Sequence, residues 1–252
     1  MKTVSNLACL VLLLVGLMVT VGCAARTGPL VDTPEPDDLE RVAQVRRQLR
    51  AACGQLRQAT DPSPSQAALM TDPATTTRMA LHGWRGIRSD YLHSSPPAYA
   101  AHPQWDQASA EIEKGIERML AMAEQSQPVA SFQACGQTCG LFVKLNAQAG
   151  VRRTSDVLFH FRKAAKPLAE PAKSGDRAPL AQALPQLLEL RQRAMVDPIG
   201  GMASAQSQQL ALKAFSNAVD HFAAAVRNGQ MDVANAYEAM MRAMENAYDA
   251  YL

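Results

Sequence analysis

Cys135 and Cys139 stand one helical turn apart in the run Cys135-Gly136-Gln137-Thr138-Cys139. At that spacing both thiols project from the same face of a helix. Phe132, Cys135, Cys139 and Phe142 recur at helical spacing, so the face they share points inward. Cys53 falls on the apolar face of its own predicted helix, among Val45, Leu49, Ala52 and Leu56. Three inward thiols allow three chemistries. Cys53 bridges Cys135 or Cys139 and leaves one buried thiol. Alternatively, all three serve as small apolar core residues. In the third case the thiols, with Met119 or Met122 nearby, hold a soft cation such as Cu(I). A thioredoxin-type mechanism is disfavoured, because there is no Cys-x-x-Cys and no strand–helix pattern around the pair.

The stretch from His82 to Trp105 is the other concentration of functional side chains. It holds both tryptophans, Trp84 and Trp105, with His82, His93, His102, Tyr91 and Tyr99. The simpler reading is a loop whose aromatics pack over the helices and seal them. The alternative is a pocket in which His82, Trp84, Tyr91, His93, His102 and Trp105 hold a small ligand. His160, between Phe159 and Phe161, and His221, after Asp220, read as packed or surface histidines. Met240, Met241, Met244 and Met231 read as core filler rather than copper ligands. No Glu-x-x-His pair, Gly-x-Ser-x-Gly or His-Glu-x-x-His is present.

The compartment follows from the first residues. Lys2 precedes an apolar stretch from Leu7 to Val19, which is short of the roughly 20 residues that a membrane span needs. Thr20-Val21-Gly22-Cys23 then resembles the lipobox of bacterial lipoproteins, except that Thr20 stands where that family usually has Leu. The resemblance implies cleavage before Cys23 and acylation of its thiol, with palmitate-type chains anchoring the protein to an envelope membrane. The expected location is the periplasmic face of the cell envelope, at the outer membrane rather than the inner. Residues 1–22 are then a signal peptide and residues 23–37 a lipidated, Pro-rich linker. Of the 5 cysteines, Cys9 leaves with the signal and Cys23 carries lipid, so one intramolecular bridge at most is expected.

The remaining chain is rich in helix formers. The full chain of 252 residues is 48% hydrophobic but only 5% aromatic, with 12 methionines. Its net charge of +2 offers no basic stripe for nucleic acid. Periodicity and breakers predict helices over residues 38–60, 72–89, 105–124, 128–149, 156–172, 178–196, 204–228 and 232–252. Thr154 or Ser155 is the expected cap of the fifth, and Gly229 ends the seventh. Met79, Leu81 and Ile87 are the expected apolar members of the second. In the last helix Ala234, Tyr237, Met241, Met244, Tyr248 and Tyr251 form the expected bundle seam. A weak internal repeat pairs Phe132 with Tyr237, Cys135 with Met240 and Cys139 with Met244. The expected fold is all-α, two four-helix bundles in tandem over residues 38–150 and 151–252, with a single larger helical domain as the alternative.

At this level the chain resembles the class II cytochrome c family, the exported four-helix bundles of cytochrome c′ type, and this implies an up-down topology. Phe132 and Gly136-Gln137-Thr138-Cys139 match that family's approach to its haem motif. The second haem cysteine would fall at Phe142 and the axial histidine at Val143, so the resemblance implies a haem-less relative without covalent haem. The functional expectation is a non-enzymatic binding or scaffolding module, held to the membrane by lipid, with an unknown protein or small ligand as partner. The alternative is a periplasmic copper- or haem-handling protein that uses Cys53, Cys135 and Cys139 or the His82–Trp105 segment.

Overall fold

A computed structural model describes residues 37–60, 72–200, 203, 205–229 and 232–252. The signal peptide, Cys23 and nearly all of the linker, together with Met231, lie outside the described residues. The described chain is helical throughout, with no strand. We number its α-helices α1 (Asp38–Thr60), α2 (Pro73–Asp90), α3 (Trp105–Glu124), α4 (Pro128–Gln148), α5 (Thr154–Ala165), α6 (Ala169–Ser174), α7 (Arg177–Met195), α8 (Ala205–Asn228) and α9 (Val233–Tyr251). The fold is an all-α bundle fold.

Local chemistry sets most boundaries. Asp38 and Glu40 in the first turn of α1 and Arg57 in its last complement the helix dipole. Asp72 caps α2, accepting from the backbone N–H of Ala74 at 3.1 Å and of Thr75 at 3.2 Å, with Pro73 at the first helical position. Gly175, at φ 72°, closes α6 in a left-handed turn that leads directly to Asp176, the cap of α7. The helix expected over 156–172 differs from the one observed. It begins at Thr154 and is interrupted at Lys166–Leu168 by a 3-10 turn. Pro167 has no N–H to donate to the preceding turn, so the α-helical ladder fails there. Neither Thr154 nor Ser155 caps this helix, since the Thr154 hydroxyl accepts instead from the Ile199 N–H at 2.8 Å.

The helices close into two rings. In the first, α1 packs on α2 and α4, and α3 packs on the same two. In the second, α5 packs on α7 and α9, and α8 packs on the same two. Each ring encloses its own apolar cluster, one drawn from residues 42–149 and the other from residues 158–252. The first is centred on Trp84, Tyr99, Trp105 and Phe142, with Trp84 edge-on to Phe142 at 5.1 Å between centroids. The second is filled by Phe161, Phe215, Phe222, Met240, Met244 and Tyr251.

Two expected stripes are displaced. In α2 Met79 is 56% exposed, and the inward positions are Thr77, Ala80, Leu81, Trp84 and Ile87. Trp84, with its large area, sets the rotation of this helix and turns Met79 out. In α9 the buried stripe is Val233, Ala236, Tyr237, Met240, Met244, Ala247, Tyr248 and Tyr251, while Ala234 and Met241 lie half-buried at its edge. The stripe is broader than a coiled-coil seam because α9 packs against α5 and α6 as well as α8.

Candidate functional site

Cys53 of α1 and Cys135 of α4 are joined by a disulfide, with 6.0 Å between their Cα atoms. The bridge spans 82 positions and ties the first helix of the ring to the last. Of the three cysteine chemistries, the structure contains a Cys53–Cys135 bridge, with Cys139 as the remaining free thiol. All three sulfurs nevertheless lie within 4.8 Å of one another. Cys53 and Cys135 are buried and Cys139 is half-buried. This proximity follows from helix geometry. Cys139 sits one turn beyond Cys135 on the inward face of α4, and the same face is already held against Cys53.

Cys139 borders a polar junction between the two cores that the cysteine spacing does not reveal. Arg46, only 4% exposed, reaches from α1 to Asp156 of α5 at 2.7 Å. The second Asp156 oxygen accepts from the Asn146 side chain at 2.7 Å, and Asn146 in turn accepts from the Tyr99 hydroxyl at 2.9 Å. Arg50, one turn after Arg46, donates to Asp249 of α9 at 2.7 Å and also pairs with Glu245. Its guanidinium lies 5.4 Å from the centre of the Tyr248 ring, and that of Arg162 lies 5.5 Å from the same ring. Burial opposes the charge of Arg46, yet Asp156 holds it protonated more firmly than an ordinary arginine. Burial pushes the Cys139 thiol above its ordinary range, and the positive charges of Arg162, Arg46 and Arg50 act against that shift.

One sequence signal does point to this junction. Arg46 lies on the stripe formed by Val42, Leu49 and Cys53, at spacings of four, three and seven residues. A guanidinium on an otherwise apolar stripe requires a buried anion facing it, here Asp156. Spacing alone cannot identify that anion, because it belongs to the other core.

Of the residues from His82 to Trp105, the large aromatics gather in the core, with Trp105 6.1 Å from Trp84 and 5.4 Å from Tyr99 between ring centroids, and the exposed histidines do not join them. His82 and His93 are exposed, whereas Trp84, Tyr99 and Trp105 are buried in the first core. Trp84 donates its indole N–H to the Ser109 carbonyl at 2.9 Å, and Tyr91 donates to Asp38 at 2.8 Å. His102 is buried and fully engaged. Its Nδ1 accepts from the Gln104 N–H at 3.1 Å, which leaves Nε2 to donate to Gln148 at 3.1 Å. Its ring nitrogens are therefore committed to holding the 97–104 segment onto the end of α4. A shallow groove elsewhere, between α3 and α4, is lined by Glu111, Lys114, Arg118, Gln137 and Leu141 among others. Comparison with protein families, curated proteins and solved structures finds no match to this chain.

Proposed function

We propose that this chain is a lipid-anchored helical module of the bacterial envelope that faces the periplasm and acts as a non-enzymatic binding or scaffolding body. The observation that carries the reading is the Cys53–Cys135 bridge. Structural disulfides persist in oxidising spaces such as the periplasm, the destination that the Leu7–Cys23 pattern specifies. The two features are independent, one a targeting signal and the other a cross-link in the folded body. In this reading the acyl chains on Cys23 fix the protein to the membrane, and the Pro-rich linker up to Asp37 lets the helical body stand off the surface. Phe142 and Val143 are 0% and 5% exposed, so the positions of a second haem cysteine and an axial histidine are core side chains. In the proposed kinship with cytochrome c′-type bundles the chain is a haem-less form whose side chains fill the interior.

The test is metabolic labelling with a palmitate analogue in a bacterial host, followed by mass spectrometry of the purified protein. Incorporation that is lost in Cys23→Ala, together with a mature N-terminus at residue 23, is the expected result. Recovery of an unacylated cytosolic protein that retains Met1 would sink the proposal.

A further inference from the structure

We infer that the reduced protein binds one soft, thiophilic cation of the Cu(I) type between Cys53, Cys135 and Cys139, and that the Cys53–Cys135 disulfide is the closed form of this site. The inference rests on the folded first core and is independent of acylation at Cys23.

Three sulfurs gathered within 4.8 Å are more than a disulfide needs. A metal–sulfur bond of about 2.3 Å in a trigonal arrangement places the sulfurs about 4 Å apart. The cluster therefore reaches that geometry by opening the Cys53–Cys135 bond and rotating side chains, with the two helices left in place. Cys135 and Cys139 come from one helix face and Cys53 from the facing helix, so one cation would bridge the same two helices that the disulfide now joins. Among the described residues no histidine or carboxylate completes the group, which consists of three thiols alone. An all-sulfur, three-donor set selects Cu(I) over Zn(II), which takes four ligands in tetrahedral sites.

Opening the site requires a reductant, and a dithiol of the kind that exchanges with protein disulfides supplies it. Two electrons and two protons pass to Cys53 and Cys135, and the dithiol leaves as its own disulfide. Cu(I) then displaces three thiol protons to solvent, giving a three-thiolate complex of charge −2. Exchange with the disulfide form of such a dithiol takes two electrons from the Cys53 and Cys135 thiolates, and that partner leaves as its dithiol with two protons from solvent; Cys139 regains its own proton and the ion is released, which makes cation binding responsive to redox state.

The test uses the folded, purified protein under anaerobic conditions. One portion is reduced and freed of reductant, and the other is left oxidised. Each is titrated with Cu(I) against a chromophoric Cu(I) chelator, with Zn(II) run in parallel. The expected result is one Cu(I) per chain in the reduced protein, with near-ultraviolet sulfur-to-copper charge transfer, and affinity at least a hundredfold weaker in the oxidised protein. Cys139→Ala retains the disulfide and hence the fold. It should lose at least a hundredfold of the Cu(I) affinity after reduction, with its helical circular dichroism unchanged. A second variant, Cys53→Ala, should lose the site in the same way. Unchanged Cu(I) affinity in Cys139→Ala, equal binding by oxidised and reduced protein, tighter binding of Zn(II) than of Cu(I), or no stoichiometric binding at all would each overturn the inference.

Discussion

Arg46 and Asp156 dominate the chain's electrostatics at the scale of single residues, because both charges have left water. The residues are 4% and 9% exposed. Among the described residues, Arg46 Nη1 and the Ser155 hydroxyl next to Asp156 are buried with no hydrogen-bond partner. A buried pair of this kind adds little net stability, since desolvation offsets most of the attraction, but breaking it on one side is costly. Asp156→Ala leaves the guanidinium enclosed and unpaired and strips Asn146 of its acceptor, so it should destabilise the fold by about 3–5 kcal/mol. The double variant Arg46→Met/Asp156→Asn removes both charges while an amide oxygen still accepts from Asn146, and it should recover most of that loss. Urea denaturation of the two variants beside the parent checks the pair. Equal losses in the single and double variants would show that the charge itself is not what the interior has to satisfy.

Glycine placement gives a sharp contrast at the scale of elements. Gly136, on the exposed side of α4, has open space where a Cβ would project. Gly115, on α3, would bring a Cβ to 2.9 Å from the Thr138 hydroxyl, so α3 and α4 approach closely because this position lacks a side chain. Gly136→Ala should therefore stabilise by about 0.5–1 kcal/mol through helix propensity. Gly115→Ala gains the same propensity but must displace Thr138, itself bonded to the Ala134 carbonyl at 2.9 Å, and overpacking of this kind typically costs about 1–3 kcal/mol. Thermal melts should move in opposite directions for the two, and a rise in both would mean that α3 and α4 have slack. Helix existence was legible in the sequence because caps, breakers and 3–4 spacing are local. Asp72, Gly175 and Gly229 each act within a turn of themselves. Helix rotation was less legible, because Trp84 rather than Met79 is chosen by what faces α2 across the ring. The inward set of cysteines could be read from spacing, but the choice of Cys135 over Cys139 as partner could not, since both stand on the same face. The Arg46–Asp156 junction was the least visible, because it joins residues 110 positions apart that belong to different cores.

The question at the scale of the whole molecule is whether two separately packed cores behave as one folding unit. Residues Asp37–Leu252 form a single compact unit, and several of the links between the cores are polar. Arg46 meets Asp156, Arg50 meets Glu245 and Asp249, and Arg47 donates to the Leu252 carbonyl at 3.3 Å. Interfaces of this character between domains are usually weak enough to open separately. Parting the cores returns Arg46 and Asp156 to water together, so this pair adds little to the cost of separation, and the coupling rests mainly on the other contacts across the junction. The distribution of aromatic residues makes the coupling measurable. Both tryptophans, Trp84 and Trp105, lie in the first core, so tryptophan fluorescence follows that core alone while far-ultraviolet circular dichroism follows both. The disulfide also lies in the first core, so the second should be the weaker once released. In the parent protein the two probes should give coincident urea midpoints, as a single cooperative transition requires. In Glu245→Ala/Asp249→Ala, which strips Arg50 of its carboxylate partners on α9, the circular dichroism should begin to fall at lower urea than the fluorescence. Separate midpoints in the parent would mean that the junction does not transmit stability, and coincident midpoints in the variant would place the coupling in contacts other than the ion pairs of Arg50 with Glu245 and Asp249.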